Sequence, residues 1–261
     1  MDAPSWPALH ARFGEGGAAF GFVIPVYNHV RNVRQVVLAA VESGAPVIVV
    51  DDGSSDGSGD AVAGIPGTTL VRHQKNLGKG AALLSGLAKL AAVPAQFAVT
   101  VDADGQHCPD DARALLAALV PDGESSPRAG LVLGARTGMK GQAVPWSSRM
   151  GRGFSGFWVW TSGGPALSDS QSGFRVYPVA ETLALPTRAR RFEFEVEVLV
   201  QARRAGLPIL EAPVSVTYQP PGGRVSHFRP WRDFGRNAAT FTRLIATRFV
   251  PARRRKDAHE G

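Results

Sequence analysis

The stretch FAVTVDADGQH, residues 97–107, decides how the rest of the chain is interpreted. Its first five residues are rich in Val and Phe and predict a buried strand, after which the polarity changes abruptly. Side chains at i and i+2 of an extended chain point the same way, and carboxylates at the end of a buried strand need a compensating cation. Asp102 and Asp104 can therefore converge on one hard divalent ion, with Gln106 supplying a neutral oxygen. The alternative is an Asp-Gly turn that only closes the strand.

Short apolar runs alternate with helical patterns in the first half of the chain. The apolar runs predict strands at residues 19–25, 47–50, 69–71, 97–101 and 131–134. Helical spacing of apolar residues and helix-start signals predict helices at residues 30–43, 79–90 and 109–119. This alternation predicts a single-domain α/β fold with a Rossmann-like, mostly parallel sheet flanked by helices.

Polar residues follow the predicted strands where each strand ends. The DDGSSDG loop occupies residues 51–57, Lys79 opens the third helical stretch, and Arg136 follows the fifth strand. Ligands of parallel sheets bind in the crevice at the carboxyl ends of the strands. The position of these motifs therefore predicts one shared site.

Each polar residue has a functional and a purely structural interpretation. Asp52 can accept a hydrogen bond from a nucleobase N–H, or its loop can cap the following helix. Lys79 can neutralise a phosphate, or it can be a solvated lysine at a helix start. Arg136 can bind a diphosphate bidentately, or it can lie on the surface.

The second half of the chain is less regular. Residues 138–164 are rich in Gly, Ser and Trp and predict a partly helical acceptor region, and residues 169–175 predict a polar turn. A helix is expected over residues 192–205, with glutamates at alternate positions. Residues 208–218 predict a strand that Pro213 confines to an edge of the sheet.

The net charge of +7 is concentrated near the C-terminus, because residues 224–256 hold ten Arg or Lys and one acid, Asp233. Such a segment favours an anionic surface. Over residues 230–250 a helix is predicted, with an apolar face made by Phe234, Ala238, Phe241 and Ile245. Its opposite face carries Arg232, Arg236 and Arg243. We expect this helix to lie on an anionic membrane surface, the alternative being that its apolar face packs on the domain.

Three parts are expected: an N-terminal extension at 1–18, a catalytic domain at 19–228, and a basic amphipathic helix and tail at 229–261. A single cysteine, Cys108, excludes an intramolecular disulfide framework and fits a reducing compartment. The chain has no run of about 18 apolar residues, so no bilayer-spanning segment is expected. The first 20 residues do not resemble a signal peptide.

Several classes of protein are disfavoured by missing motifs. No G-x-G-x-x-G follows the first strand and no G-x-x-x-x-G-K-[ST] occurs, which argues against dehydrogenases and P-loop NTPases. A sugar-1-phosphate nucleotidyltransferase would carry a Gly-rich loop with a basic residue where this chain has PVYN at 25–28. A membrane- or nucleic-acid-binding module would leave the acidic site unexplained, and we expect no nucleic-acid partner.

The ordered motifs resemble those of family-2 glycosyltransferases. They are PVYN at 25–28, DDGSSDG at 51–57, NLGKGAAL at 76–83, DADGQH at 102–107, GAR at 134–136 and SGFR at 172–175. The likeness is greatest to the dolichol-phosphate mannosyltransferase and polyprenyl-phosphate glycosyltransferase branch and covers roughly residues 20–230. The resemblance implies a glycosyltransferase A-type fold, a UDP- or GDP-sugar donor, Mg²⁺ or Mn²⁺, and inversion at the anomeric carbon.

The resemblance also implies roles for individual residues. The donor would be bound by Pro25, Tyr27, Asp52, Lys79, Asp102, Ala103 and Arg136. The metal would be bound by Asp102, Asp104 and Gln106. The catalytic set would be Asp104, Arg136 and Asp169, with Asp169 near the acceptor as a general base if the acceptor is a hydroxyl.

Two departures from the family pattern concern donor and acceptor identity. His29 stands where the mannosyltransferases have an acidic residue, and Ser226-His227 stands where they have a Ser-Lys pair. The Q-x-x-R-W signature of processive synthases is absent, which favours transfer of a single sugar. The prediction is a non-processive enzyme that acts on a membrane-associated, lipid-linked acceptor. It would be cytoplasmic and peripheral at the inner face of the cell membrane.

Overall fold

The computed structural model describes residues 3–14, 19–121, 124, 126–136, 158–216 and 230–248, with side chains of the last range from residue 236 onward. The strands are Phe20–Val26 (β1), Val47–Asp51 (β2), Thr68–Arg72 (β3), Phe97–Thr100 (β4), Leu131–Arg136 (β5), Arg175–Pro178 (β6) and Ile209–Val214 (β7). The α-helices are Trp6–Gly14 (α1), Val33–Val41 (α2), Lys79–Leu90 (α3), Ala112–Ala117 (α4), Val179–Ala184 (α5), Phe194–Arg204 (α6) and Pro230–Arg248 (α7). Short 3₁₀ helices cover Asp60–Val62 and Pro109–Asp111.

One seven-stranded sheet organises the domain, in the order β3-β2-β1-β4-β6-β5-β7. All neighbouring strands are parallel except β6, which runs antiparallel to both β4 and β5. This architecture confirms the predicted α/β fold with a mostly parallel sheet. Strand β7 lies at an edge, as Pro213 predicted.

Alternating side chains of the central strands enter two separate core clusters. In β1, Phe22 and Ile24 belong to the cluster under α1, α2 and α4, whereas Val23 belongs to the cluster under α3 and α6. Successive residues of a strand point to opposite faces of the sheet, so helices cover both faces. Among the described residues no helix combines the length and apolar character that a bilayer span requires.

The N-terminal segment is more structured than the sequence indicated. Helix α1 buries Leu9 and Phe13 completely, and the Phe13 ring packs edge-on against Phe20 and Phe97. Residues 6–14 therefore belong to the core, and the boundary expected at residue 19 does not coincide with an edge of that core.

Three local expectations were wrong in detail. Strand β4 ends at Thr100, so Asp102 and Asp104 lie in a turn after the strand rather than in extended chain. Gly105 has a φ of +75°, which this turn requires and which glycine adopts without strain. Strand β6 begins at Arg175, where a polar turn was expected. The helix predicted over 109–119 starts as a 3₁₀ turn and ends at Ala117.

Helix α7 packs on the domain through part of its apolar face. Phe241 and Leu244 are buried against Val196 and Val200 of α6. The prediction that Phe241 faces a membrane is therefore wrong for this residue, and the alternative of packing on the domain holds. Ala238 is exposed, so the buried face is rotated from the predicted one.

The ion pair beneath α7 also differs from the expected pattern. Arg243, expected on an outward polar face, lies with its Nη2 2.8 Å from Oε1 of the fully buried Glu197. That contact is an ion pair without hydrogen-bond alignment. The expected acceptor region at 138–157, the side chains of Arg232 and Phe234, Ser226-His227 and the tail from 249 onward lie outside the described residues.

Candidate active site

Two loops at the carboxyl ends of β1 and β2 are tied together by hydrogen bonds. The N–H of Asn28 donates to Ser54 Oγ (3.1 Å), and the N–H of Ser55 donates to Asn28 Oδ1 (2.8 Å). Asn28 has a φ of +55°, a left-handed conformation that Asn tolerates better than most residues. Pro25 is buried within β1, whereas Tyr27, which follows that strand, is half-buried.

Asp52 is only 3% exposed and binds the loop that leads into α3. Its carboxylate accepts hydrogen bonds from the N–H groups of Leu77 (2.9 Å) and Gly78 (2.8 Å) and from His73 Nδ1 (2.7 Å). The predicted nucleobase acceptor therefore has both oxygens engaged by its own chain. In this structure Asp52 positions the loop that precedes Lys79.

Lys79 lies between two carboxylates instead of projecting towards an open phosphate site. Its Nζ is 2.7 Å from Asp102 Oδ1 and 2.9 Å from Glu195 Oε1. Burial alone would lower the pKa of Lys79, but the charges of Asp102 and Glu195 outweigh burial and raise that pKa above its usual value. Lys79 therefore stays charged and compensates one of the two D-x-D carboxylates.

The second carboxylate of the D-x-D turn, Asp104, lies close to the first. Burial raises the pKa of Asp104, and the charge of Asp102 raises it further. Asp104 Oδ1 accepts a hydrogen bond from the N–H of Gln106 (3.0 Å), and Asn32 Nδ2 donates to the Asp104 carbonyl (2.7 Å). Two carboxylates close enough to repel each other, with Gln106 beside them, form a donor set that fits a hard divalent cation.

Few protein groups are available to such a cation. Within the described ranges no three His, Cys, Asp or Glu side chains cluster as a metal site. An ion held by Asp102, Asp104 and Gln106 would keep open coordination positions, which suits an ion that also binds a diphosphate. Ala103 as a whole is 2% exposed and belongs to the core, so its part in donor binding stays a prediction.

Arg136 and Asp169 bind each other. The guanidinium donates from Nη2 to Asp169 Oδ1 (2.8 Å) and from Nε to Oδ2, which is a bidentate pair. The N–H of Gln171 also donates to Asp169 Oδ1 (3.3 Å). Arg136, predicted to bind the diphosphate, and Asp169, predicted to lie near the acceptor, are thus direct partners. Asp169 is nearly buried, with 4% of its side chain exposed.

The family model for glycosyl transferase family 2 matches residues 22–177, more than half of the chain. The chain belongs to this family. It is therefore a glycosyltransferase, and the motifs that form the site lie within the matched range.

Named relatives of this glycosyltransferase are similar to it over about three quarters of the chain. UDP-N-acetylglucosamine–dolichyl-phosphate N-acetylglucosaminyltransferase of Methanococcus voltae is 29% identical over 217 residues, covering 75% of this chain and 84% of the relative. Undecaprenyl-phosphate mannosyltransferase of Micrococcus luteus is 28% identical over 205 residues, covering 74% of this chain and 81% of the relative.

A solved structure supports the fold of the glycosyltransferase. Glucosyl-3-phosphoglycerate synthase from Mycobacterium tuberculosis, in complex with Mn²⁺, UDP and phosphoglyceric acid, superposes with a TM-score of 0.67. The match covers 94% of this chain and 84% of that one at 19% identity. The fold is the glycosyltransferase A-type predicted from the motifs.

Two residues important to the glycosyltransferase site were missed from the sequence. Glu195 shares Lys79 with Asp102, and the alternation of Glu193, Glu195 and Glu197 was the only signal that could have drawn attention to it. A helix normally brings residues three or four positions apart to one face, so alternate glutamates do not share one environment.

Arg175 is the second missed residue, and no part of its side chain is exposed. It donates to the carbonyls of Ser170 (2.9 Å), Ser172 (2.6 Å) and Glu195 (2.7 Å). These bonds join the loop that carries Asp169 to the start of α6. The sequence placed Arg175 in a polar turn and in the SGFR motif but gave it no role, because the burial of a charged residue depends on distant parts of the chain.

Proposed function

We propose that this glycosyltransferase moves one sugar, with inversion, from a UDP- or GDP-sugar to the phosphate of a polyprenyl phosphate. An oxygen of the acceptor phosphate forms the new bond to the anomeric carbon as the bond from that carbon to the donor diphosphate breaks. A single displacement of this kind inverts the anomeric centre. The names of the relatives from Methanococcus voltae and Micrococcus luteus, both polyprenyl-phosphate sugar transferases, support this acceptor class.

The observation that carries the proposal is the bidentate Arg136–Asp169 pair. A hydroxyl acceptor needs a base to take its proton, and Asp169 is the predicted base. Both Asp169 oxygens already accept hydrogen bonds from the chain, so Asp169 is poorly placed for that task. A phosphate acceptor is already ionised and needs no base. Arg136, held in a fixed orientation by Asp169, can then orient a phosphate oxygen.

The remaining site residues bind the donor. The loops joined through Asn28 and Ser54 would enclose the nucleoside, and Asp102, Asp104 and Gln106 would hold Mg²⁺ or Mn²⁺. When bound, the ion would neutralise the negative charge that develops on the leaving diphosphate. Lys79 keeps Asp102 ionised and oriented before the ion and the donor arrive.

The basic C-terminal region supports binding of the enzyme to a membrane surface. Ten Arg or Lys residues and one acid occur in residues 224–256, a composition that favours an anionic lipid leaflet. We expect peripheral binding at the cytoplasmic face of the cell membrane, where a polyprenyl phosphate is accessible to a nucleotide-sugar donor.

The experiment that tests the function is transfer from a panel of UDP- and GDP-sugars to a short-chain, water-soluble polyprenyl phosphate, followed by mass spectrometry. The expected product is a glycosyl polyprenyl phosphate, formed only with Mg²⁺ or Mn²⁺ and accompanied by nucleoside diphosphate. The matched control is the same polyprenol without its phosphate, which should give no product. Transfer to the free alcohol but not to the phosphate would overturn the proposal in favour of a hydroxyl acceptor.

A further inference from the structure

One surface patch lies where three helical segments end. It consists of Trp160 in the helical turn 158–161, Arg204 in the last turn of α6 and Arg248 in the last turn of α7, and we call it the Trp160 patch. Trp160 is 61% exposed, the largest exposed fraction among the exposed large hydrophobic side chains described. An exposed indole close to arginines gives the patch both an apolar and a cationic part.

Two arginines of the patch are fixed by hydrogen bonds to helix ends. Arg204 donates to the Leu244 carbonyl of α7 (2.6 Å) and to Thr247 Oγ1 (3.1 Å), and Arg248 donates to the Thr161 carbonyl (3.0 Å). Carbonyl groups at helix C-termini favour cations. The guanidinium groups are therefore held in place beside Trp160 and do not move freely in solvent.

The patch carries positive charge that the described chain does not balance. Across the described ranges Arg204 and Arg248 pair with no carboxylate, whereas Arg243 on α7 pairs with Glu197. Partial burial lowers the pKa of Arg204, and the charge of nearby Arg248 lowers it further. Two like charges held near each other repel, and an external anion would relieve that repulsion.

The patch is connected to the acceptor side of the active site. Trp160 lies on the chain segment that joins Arg136 to Asp169, and Arg204 donates to the Ser162 carbonyl of the same segment (3.2 Å). A surface bound at Trp160 would therefore lie against the part of the enzyme that leads to the acceptor residues.

We propose that the Trp160 patch docks on an anionic phospholipid surface, with its guanidinium groups on headgroup phosphates and the indole in the headgroup boundary. Tryptophan is favoured at that boundary because its ring is apolar and its N–H is polar. The inference rests on the proposed function and names the surface through which the enzyme meets its membrane. The Trp160 patch takes the place of the apolar face of α7 as the proposed membrane contact, because Phe241 and Leu244 of that face are buried against the domain.

The test is co-sedimentation of the full chain with phosphatidylcholine vesicles that contain or lack phosphatidylglycerol, at low and high salt. The variant Trp160→Ser/Arg248→Gln removes the indole and one charge. The matched control, Arg12→Gln/Leu38→Ser, makes the same kinds of change at exposed positions on α1 and α2, which cover the opposite face of the sheet. Every protein keeps residues 249–261, so differences between variants belong to the patch.

The patch variant should bind phosphatidylglycerol vesicles about tenfold more weakly, since one arginine near an anionic leaflet contributes about fivefold and the indole adds to it. The control should bind as the wild-type chain does, and high salt should weaken both. Equal binding by the two double variants would overturn the proposal, and so would wild-type protein that ignores these vesicles. It would likewise be overturned if the patch changes weakened binding to an RNA oligonucleotide but not to vesicles.

A second measurement separates this inference from the proposed function. Without vesicles, transfer to a water-soluble polyprenyl phosphate should be the same for the patch variant and the wild type. If the wild type catalyses that transfer but the patch variant binds vesicles normally, the docking surface is wrong and the function stands. If no lipid phosphate is glycosylated but vesicle binding depends on the patch, the function is wrong and the docking surface stands.

Discussion

At the residue scale, the site is a small network of charges whose members compensate one another unequally. Lys79 pairs with Asp102 and Glu195, and Arg136 pairs with Asp169, whereas Asp104 lies beside Asp102 with its charge opposed by burial. A divalent cation would therefore relieve the repulsion between Asp102 and Asp104. Substitutions in it should separate binding, catalysis and stability.

Replacement of Asp104 by Asn should weaken metal binding by about 100-fold or more, because a charged ligand has a larger effect than the outer partners that typically contribute 10–100-fold. Donor affinity should fall with it. Thermal shift with Mn²⁺ and nucleoside diphosphate measures both, and Glu181→Gln, an exposed acid on α5, is the control. Wild-type turnover in excess EDTA would contradict a metal-dependent reaction.

The same variant should not destabilise the metal-free protein. The raised pKa of Asp104 means that its ionised form opposes folding, so the wild type loses stability as pH rises through that pKa. Asn carries no charge, and Asp104→Asn should therefore be at least as stable as the wild type at neutral pH without metal. That difference should disappear as the pH falls and Asp104 becomes protonated. Urea denaturation in EDTA at several pH values is the measurement.

Replacement of Asp169 by Asn tests the acceptor class. With a phosphate acceptor the residue orients Arg136, and turnover should fall about tenfold or less while donor binding is unchanged. A general base would instead contribute about 10²-fold or more. Steady-state kinetics on a polyprenyl phosphate distinguishes the two, and a loss of the larger size would favour a hydroxyl acceptor.

At the scale of elements, the close approach of the loop before β6 to the D-x-D turn determines the shape of the site. Gly173 lies against Asp102, and a Cβ built there would be 2.4 Å from Asp102 Oδ2 and 2.6 Å from Lys79 Nζ. Thr100 Oγ1 holds this loop in place by donating to the Gly173 carbonyl (3.0 Å). Any side chain at position 173 must displace the ion pair that carries a predicted metal ligand.

Gly173→Ala should therefore weaken metal and donor binding and reduce the free energy of unfolding by about 1–3 kcal/mol, the usual effect of overpacking. Gly14→Ala is the control, because a Cβ at Gly14 would contact none of the described residues within 4 Å. Calorimetric titration of nucleoside diphosphate with Mn²⁺ gives the affinity. Unchanged affinity in Gly173→Ala would show that the Asp102–Lys79 geometry does not control binding.

At the scale of the whole molecule, Glu197 connects the C-terminal helix to the donor side of the domain. Its Oε2 accepts hydrogen bonds from the N–H groups of Arg188 (2.9 Å) and Ala189 (2.7 Å), and its Oε1 pairs with Arg243 of α7. The adjacent Arg190 carbonyl accepts from the N–H of Ala81 in α3 (2.8 Å). One buried carboxylate thus holds α7, α6 and the loop beside Lys79 together.

Arg243→Met should lower the free energy of unfolding by about 2–3 kcal/mol, because it leaves the carboxylate of Glu197 buried without its cation. The estimate is below that for fully buried pairs, because solvent reaches part of Arg243. The double variant Arg243→Met/Glu197→Gln should recover part of the loss, since the neutral amide keeps an acceptor for Arg188 or Ala189. Urea midpoints measure both, and a double variant no more stable than the single one would contradict this role.

The alternation of strands and helices between residues 19 and 136 could be predicted from the sequence because it depends on short-range patterns. Short, continuous apolar runs are typical of buried strands, and the polar motifs at 51–57 and 102–107 follow such runs directly. Parallel pairing then brings their carboxyl ends together, and the structure places Asp52, Lys79, Asp102 and Arg136 at that edge. The acidic turn after β4 and the edge position of β7 could be predicted in this way, whereas the glycosyltransferase A-type fold was implied by the resemblance of the ordered motifs to a family.

The partners of the charges depended on tertiary structure. Lys79 meets Glu195, Arg136 meets Asp169 and Arg243 meets Glu197 across long stretches of chain, and no local pattern encodes such contacts. Helix α1 and strand β6 were missed for the same reason, since their burial comes from distant residues rather than from their own periodicity. Amphipathic patterning identified a helix at 230–248, but the side on which it is buried depends on the surface of α6. A sequence pattern indicates which residues are buried away from water. Only tertiary packing determines which other residues they then contact.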